Sequence, residues 1–175
     1  LSSDDLDKKQ ISTFGDISAI APGVNVAKNE GFKTVITIRG VGYETNQNAI
    51  ATPSVSYHLD GIYIASPYSL QTEFMDLERI EVLRGPQGTL FGQNSTGGAI
   101  NVITTAPSLE ESSSYGDITV GDYSLIKTRA SFNRPLSETV AVRASFITHK
   151  RDGFTDNLST GQDLDCLLYT SDAAD

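Results

Sequence analysis

The chain has 175 residues, 38% of them hydrophobic and 20% charged, which is enough apolar content for a core and too little charge for a disordered polymer. Asp plus Glu number 22 against 13 Lys plus Arg, a net charge of −9, so phosphate backbones are repelled and nucleic acid is excluded as a partner. A single cysteine excludes a disulfide framework and a Cys-rich zinc site, and no run of about 18 apolar residues exists to form a transmembrane helix.

The first twenty residues read as two short helices. Ser3 caps the first, with Asp4 and Asp5 in its opening turn and Lys8 and Lys9 at its end, the order that suits a helix dipole. Thr13 and Asp16 have capping-box spacing ahead of Phe14, Ile17 and Ile20 on one face, and Pro22-Gly23 stops that helix. No basic stretch leads into an apolar one as in a signal peptide, and a start at Leu1 leads us to expect further sequence upstream.

From Val24 to Thr105 the period shifts towards two. Strands are expected at Val24–Lys28, Thr34–Gly40, Val55–Asp60, Arg79–Arg84 and Ala99–Thr105, with short helices at Leu70–Asp76 and Gln87–Phe91. Strands interleaved with short helices predict a small α+β or α/β unit. Pro107–Ser114 is a polar joint. After a shorter strand at Ser113–Gly121 comes a long hairpin. Ile126, Thr128, Ala130 and Phe132 alternate with Lys127, Arg129, Ser131 and Asn133. Beyond the connection Arg134–Glu138, Val140, Val142, Ala144, Phe146 and Thr148 alternate with Ala141, Arg143, Ser145, Ile147 and His149. Each strand has about ten alternating residues, enough to cross a bilayer when tilted. Alternation alone favours the commoner soluble antiparallel sheet and does not decide between the two. Residues 166–175 break the alternation and are expected to be a non-native tail without a function.

No constellation supports catalysis, a metal or a cofactor. The glycines Gly85, Gly88, Gly92, Gly97 and Gly98 lack the Gly-Lys-Ser/Thr of a phosphate loop, so with Gly40, Gly61 and Pro86 they are assigned to turns. Glu78 and Glu81 fall on opposite faces of a regular strand and are expected to pair with Arg39, Arg79 or Arg84 rather than to share a proton. His58 and His149, on the polar faces of separate strands, make a weak metal signal.

Two segments carry a specific resemblance. Leu77-Glu78-Arg79-Ile80-Glu81-Val82-Leu83-Arg84-Gly85-Pro86-Gln87-Gly88-Thr89-Leu90-Phe91-Gly92, followed by Gly97-Gly98-Ala99-Ile100-Asn101-Val102-Ile103-Thr104, resembles the plug domain of TonB-dependent outer-membrane receptors. Ala21-Pro22-Gly23-Val24, Ile38-Arg39-Gly40 and Asp60-Gly61-Ile62-Tyr63 agree in order and spacing. The resemblance runs from about Leu6 to Pro107 and implies that a barrel begins next, where the hairpin stands. It therefore outweighs the soluble sheet.

The resemblance implies an α+β plug at residues 1–110 and the first antiparallel strands of a transmembrane β-barrel at 111–165. A wall of about 22 strands needs roughly 220 residues, so the chain is expected to be a fragment. It implies residence in the outer membrane of a Gram-negative bacterium, with lipid as a partner of the wall. It also implies uptake of siderophore-iron, haem, cobalamin or a glycan, driven by the periplasmic protein TonB through an upstream segment. Arg39, Asp60, Glu78, Arg79, Glu81 and Arg84 are expected to make polar contacts to the wall or within the plug. Tyr43, Glu44, Asn46, Gln47 and Asn48 in one loop, and Pro67 and Tyr68 in another, are expected to touch the ligand. The competing reading is a soluble β-rich ligand-binding module.

Overall fold

The computed structural model describes residues 3–9, 11–29, 33–42, 53–66, 70, 73–156, 163–164 and 167–174. The chain divides into two units, Leu1–Thr105 and Ala106–Asp175. The sequence reading set the division at 110. It falls at the head of the polar joint because the Asn133 side chain bonds both the N–H and the carbonyl of Ser108 and the carbonyl of Glu111, which ties that stretch to the second unit.

The first unit opens with α1 (Ser3–Lys8) and α2 (Phe14–Ile20). Helix α1 includes Ser3 instead of starting after it. The Asp16 carboxylate accepts hydrogen bonds from the Thr13 N–H, the Ser12 N–H and the Thr13 hydroxyl, so the N-cap donor at the start of α2 is met. Strands β1 (Val24–Asn29), β2 (Lys33–Ile38) and β3 (Val41–Gly42) form an antiparallel sheet. A second sheet, mixed, holds β4 (Val55–Leu59), β5 (Ile62–Tyr63), β6 (Leu77–Arg84) and β7 (Gly98–Thr104) in the order β5-β4-β7-β6, with β4 and β7 parallel. Helix α3 (Gly88–Phe91) lies between β6 and β7 in sequence.

Two strands end earlier than expected, for one reason. Arg39 and Gly40 have φ of 53° and 78°, and Asp60 and Gly61 have 48° and 79°. Positive φ at both central residues makes the two-residue turn whose twist matches a hairpin. Each pair therefore leaves its strand to form the β2–β3 or β4–β5 turn, closed by Ile38 opposite Val41 and Leu59 opposite Ile62. The helix expected over Leu70–Asp76 does not form across Glu73–Asp76. Phe74 instead packs its ring against Phe14, at 4.6 Å, and Asp76 turns with φ of 50°. Phe14, Ile17, Ile38, Tyr57, Ile80, Ile100 and Val102 form the heart of the core, and Phe14 meets Tyr57 edge-on at 4.7 Å.

The second unit is a sheet in the order β13-β10-β9-β8, where β8 is Ser113–Gly121, β9 Leu125–Pro135, β10 Ala141–Arg151 and β13 Leu167–Ala174. A small hairpin, β11 (Thr155–Asp156) with β12 (Asp163–Leu164), lies in the connection from β10 to β13. Val140, expected in the strand, closes the preceding turn, its carbonyl accepting from the Leu136 and Ser137 N–H groups. The tail that breaks the alternation pairs antiparallel with β10, Leu167 to Ala174 against Arg151 to Ala144. Backbone pairing needs an extended chain, not a hydrophobic period.

Register defines the two faces of this sheet. Ile126, Thr128, Ala130 and Phe132 share a face with Thr148, Phe146 and Ala144 of β10 and with Ile118 and Val120 of β8. Lys127, Arg129, Ser131 and Asn133 share the other with Asp117, Arg143, Ser145, Ile147 and His149. The apolar face is the exposed one: Phe132 is 59% exposed, Ile118 72% and Val120 74%. Ser131, Asn133 and Ser145 are buried. A soluble sheet does the reverse.

Candidate functional site

In the mixed sheet the apolar face of β4, β6 and β7 faces the core, so the opposite face collects what polarity the strands carry. The register places Ser56 and His58 of β4, Tyr63 of β5, Asn101 of β7 and Glu81 of β6 on this second face. In the sequence, Ser56 and His58 occupy the polar positions of this strand. Both are buried, because β4 is an interior strand and the 85–97 segment covers that face, with the Phe91 ring 4.8 Å from His58.

Asn101 organises the site, and sequence reasoning did not single it out. Its side-chain oxygen accepts from the Gly61 N–H at 3.3 Å, and its amide donates to Glu81 Oε2 at 3.2 Å. One residue thus joins the β4–β5 turn to β6. The available signal was an amide inside the apolar run Ala99-Ile100-Asn101-Val102-Ile103, where a strand buried on both faces tolerates a polar group only if it is bonded.

The expected site residues separate into distinct groups. Asp60 clamps its turn to the end of β7: its carboxylate accepts from the Thr104 N–H at 2.8 Å and the Thr104 hydroxyl at 2.9 Å. Burial, and after it the charge of Asp60, push the Tyr57 hydroxyl well above the usual phenol range. Arg79 pairs with both Glu78 and Glu81, the latter at 2.8 Å. Strict alternation would keep these carboxylates apart. A register shift between Leu77 and Arg79 inserts Glu78 as an extra residue and brings them to one guanidinium. The hydrogen bond from Arg79, then that from Asn101, holds the Glu81 carboxyl below the usual carboxylate range. Arg39 and Arg84 are exposed. The Arg39 N–H donates to the Gly23 carbonyl at 2.6 Å. Gly85 and Gly92 have positive φ, Gly88 opens α3, Pro86 is exposed, and Gly97 and Gly98 are buried at the entry to β7. Tyr43, Glu44, Asn46, Gln47, Asn48, Pro67 and Tyr68 lie outside the described residues. Among the described residues no group of three or more His, Cys, Asp or Glu is placed to hold a metal.

Asp60→Ala removes two accepted hydrogen bonds, one from a backbone donor, and leaves the left-handed turn residue without its tether. We expect a loss of about 1–3 kcal/mol of stability, read as a lower thermal midpoint of the unit. Asp60→Asn keeps acceptor capacity and should lose less.

On the second unit, Arg129 Nε meets Asp117 Oδ1 at 2.7 Å on the polar face. A partly buried ion pair on one side and bare Phe, Ile and Val on the other is an arrangement for an apolar medium outside and a polar filling inside.

Comparison with known proteins agrees with both units. A family model for the TonB-dependent Receptor Plug Domain matches residues 1–99. The pesticin receptor of Yersinia enterocolitica serotype O:8 / biotype 1B is 30% identical over 169 residues, covering 93% of this chain and 24% of that protein. The chain thus spans about a quarter of the length of the curated relatives it matches. The crystal structure of the ferric yersiniabactin uptake receptor FyuA from Yersinia pestis superposes with a TM-score of 0.74 at 26% identity, over 99% of this chain and 27% of that one. The open form of the ferric-catecholate import receptor Fiu from E. coli K12 shares the fold, with a TM-score of 0.70 at 24% identity, over 90% of this chain and 22% of that one.

Proposed function

We infer the function from the family, for the chain belongs to the TonB-dependent receptors, with a plug domain followed by antiparallel wall strands, and we propose that it gates an outer-membrane transporter. In this reading the first unit blocks the lumen of a barrel that the second unit begins. The relatives are receptors, not enzymes, and the chain is accordingly a receptor plug with no catalytic role.

The cargo we propose is a large, scarce nutrient, with an iron–siderophore complex ahead of haem, cobalamin or a glycan. The relatives that carry ferric yersiniabactin and ferric catecholates in their names support that order. The outer membrane has no ATP, so force on the plug comes from TonB through a segment upstream of the plug. The loops holding Tyr43, Glu44, Asn46, Gln47, Asn48, Pro67 and Tyr68 are the proposed ligand contacts. Arg39, Asp60, Glu78, Arg79, Glu81 and Arg84 are the proposed polar contacts within the plug or to its wall. A polar interface suits a removable plug, because water replaces broken contacts at low net cost.

The observation that carries the reading is the inverted second sheet, with apolar side chains exposed and polar ones covered. It disfavours a soluble ligand-binding module, which would bury Phe132, Phe146 and Val142. The test is uptake. The whole receptor is expressed in a bacterium stripped of its own siderophore receptors, with and without TonB, and offered radio-iron as a panel of siderophore complexes and as haem. We expect iron accumulation with at least one siderophore complex, abolished without TonB. Accumulation that ignores TonB, or none from any iron source, counts against the proposal.

A further inference from the structure

The 85–97 segment is a cap over the polar face of β4, and its chemistry is unusual for a cover. It contains no charged or titratable side chain. It closes on itself through the Gly85 N–H to the Gly97 carbonyl and the Gln87 N–H to the Ser95 carbonyl. It is tied to the sheet by the Gly97 N–H to the Ser54 carbonyl at 2.8 Å, by Asn94 donating to the Tyr63 hydroxyl at 2.8 Å, and by Phe91 on His58.

Beneath it lie Ser56 and His58, 0% and 4% exposed. Neither Ser56 Oγ nor His58 Nδ1 has a hydrogen-bond partner among the described residues. Buried polar groups are nearly always bonded, so two such atoms side by side under one cap stand out. The His58 ring lies near both Phe91 and Tyr63, the latter at 5.6 Å. Among the described residues, the groups around it offer no counter-ion. Tyr63 of β5 is a phenol already accepting from Asn94. Asn101 of β7 is neutral. Glu81 of β6 lies beyond Asn101 and is held by Arg79 and Asn101. The cap contributes Phe91 and no charge.

We propose that His58 is an acid-released latch: protonation of its ring lifts the 85–97 cap off β4 while the rest of the mixed sheet stays folded. An imidazolium without a counter-ion in an aromatic cage is costly, and water is reached most cheaply by parting the cap. Among the described residues, two hydrogen bonds and one ring contact hold the cap, whereas β7 is laddered on both edges.

The sign follows from burial, which lowers the His58 pKa from its ordinary value of 6.5. A closed state with the lower pKa binds fewer protons than an open one. Cap closure is therefore fully supported above pH 6.5 and is lost as pH falls from there through the lowered value. The latch does not depend on what the receptor carries or on TonB.

Hydrogen exchange read by mass spectrometry on the whole receptor in detergent tests it, at steps from pH 7.5 to 5.5 and corrected for intrinsic rates. Opening of peptides within 88–97 should rise by up to about tenfold at pH 5.5, with β7 protection unchanged. His58→Phe, which keeps a ring against Phe91, should abolish the response. The proposal is overturned if cap protection ignores pH, if β7 loosens in parallel, or if the response survives in His58→Phe. Should that variant fail to fold, the first two outcomes still decide it on the unmodified protein.

Discussion

Gly98→Ala is expected to cost the plug roughly 3–5 kcal/mol, a large part of the stability of a domain this size. Gly98 opens β7 with φ of 147°, a value that L side chains rarely adopt, which costs about 1–3 kcal/mol. A methyl group there would overlap the Leu83 carbonyl oxygen of β6 and stand 2.8 Å from Ile38 Cδ1. The carbonyl belongs to the adjacent strand and cannot rotate away, so the overlap adds overpacking strain of about 1–3 kcal/mol. The damage also spreads, because β7 pairs β4 on one edge and β6 on the other. Gly61→Ala is the control. Its φ of 79° is as strained for alanine, yet nothing lies within 4 Å of the added carbon, so it should lose about 1 kcal/mol. Denaturant midpoints read by hydrogen exchange in β7 compare the two. Equal losses would mean that the close approach to Leu83 carries no weight.

What the sequence revealed and what it hid differ in range along the chain. Turns are local: Gly40 and Gly61 mark theirs by residue type, although the expected strands ran on through Arg39 and Asp60, whose positive φ only the structure shows. The hairpin of β9 and β10 is written in a period of two that persists from Ile126 to Asn133 and from Ala141 to His149. Hidden features depend on partners distant in sequence. The burial of His58 requires knowing that β4 lies beside β7, forty-three residues away by the pairing of His58 with Asn101, and that the 85–97 cap lies over it. The meeting of Glu78 and Glu81 on Arg79 depends on one inserted residue, which no alternation pattern predicts. Asn101 looked like an interruption of an apolar run, though it fastens three elements. The motif stretch was therefore legible as a family signature long before its physical duties were: Gly98 for a close strand approach, Asp60 and Asn101 for a clamped turn, and an uncharged cap over a buried histidine.

On the second unit, Phe146→Lys should destabilise the folded receptor in a bilayer by about 2–4 kcal/mol if that face meets lipid. If the sheet were soluble, the same change at a residue already 39% exposed would fall within about half a kcal/mol of neutral. The position is chosen from the register. Phe146 pairs Ala130, in the middle of an apolar band bounded by basic residues on the same face: Arg134, opposite Val142, and Lys150, opposite Ile126. From Ile126 to Arg134 the strand runs about 26 Å at 3.3 Å per residue, or roughly 20 Å across the membrane at the tilt of such barrels. With long basic side chains reaching outward at both ends, that approaches the roughly 25 Å apolar belt of these proteins. Thr119→Gln on the opposite face, where Thr119 pairs Lys127, serves as the matched control and should fall within about half a kcal/mol of the parent. Both variants are compared in phospholipid vesicles by the folded fraction that keeps its compact mobility on unheated SDS gels across a urea series. A midpoint lowered by Phe146→Lys but not by Thr119→Gln assigns the apolar face to lipid. Equal behaviour of the two would return the sheet to water and remove the main support for a barrel wall.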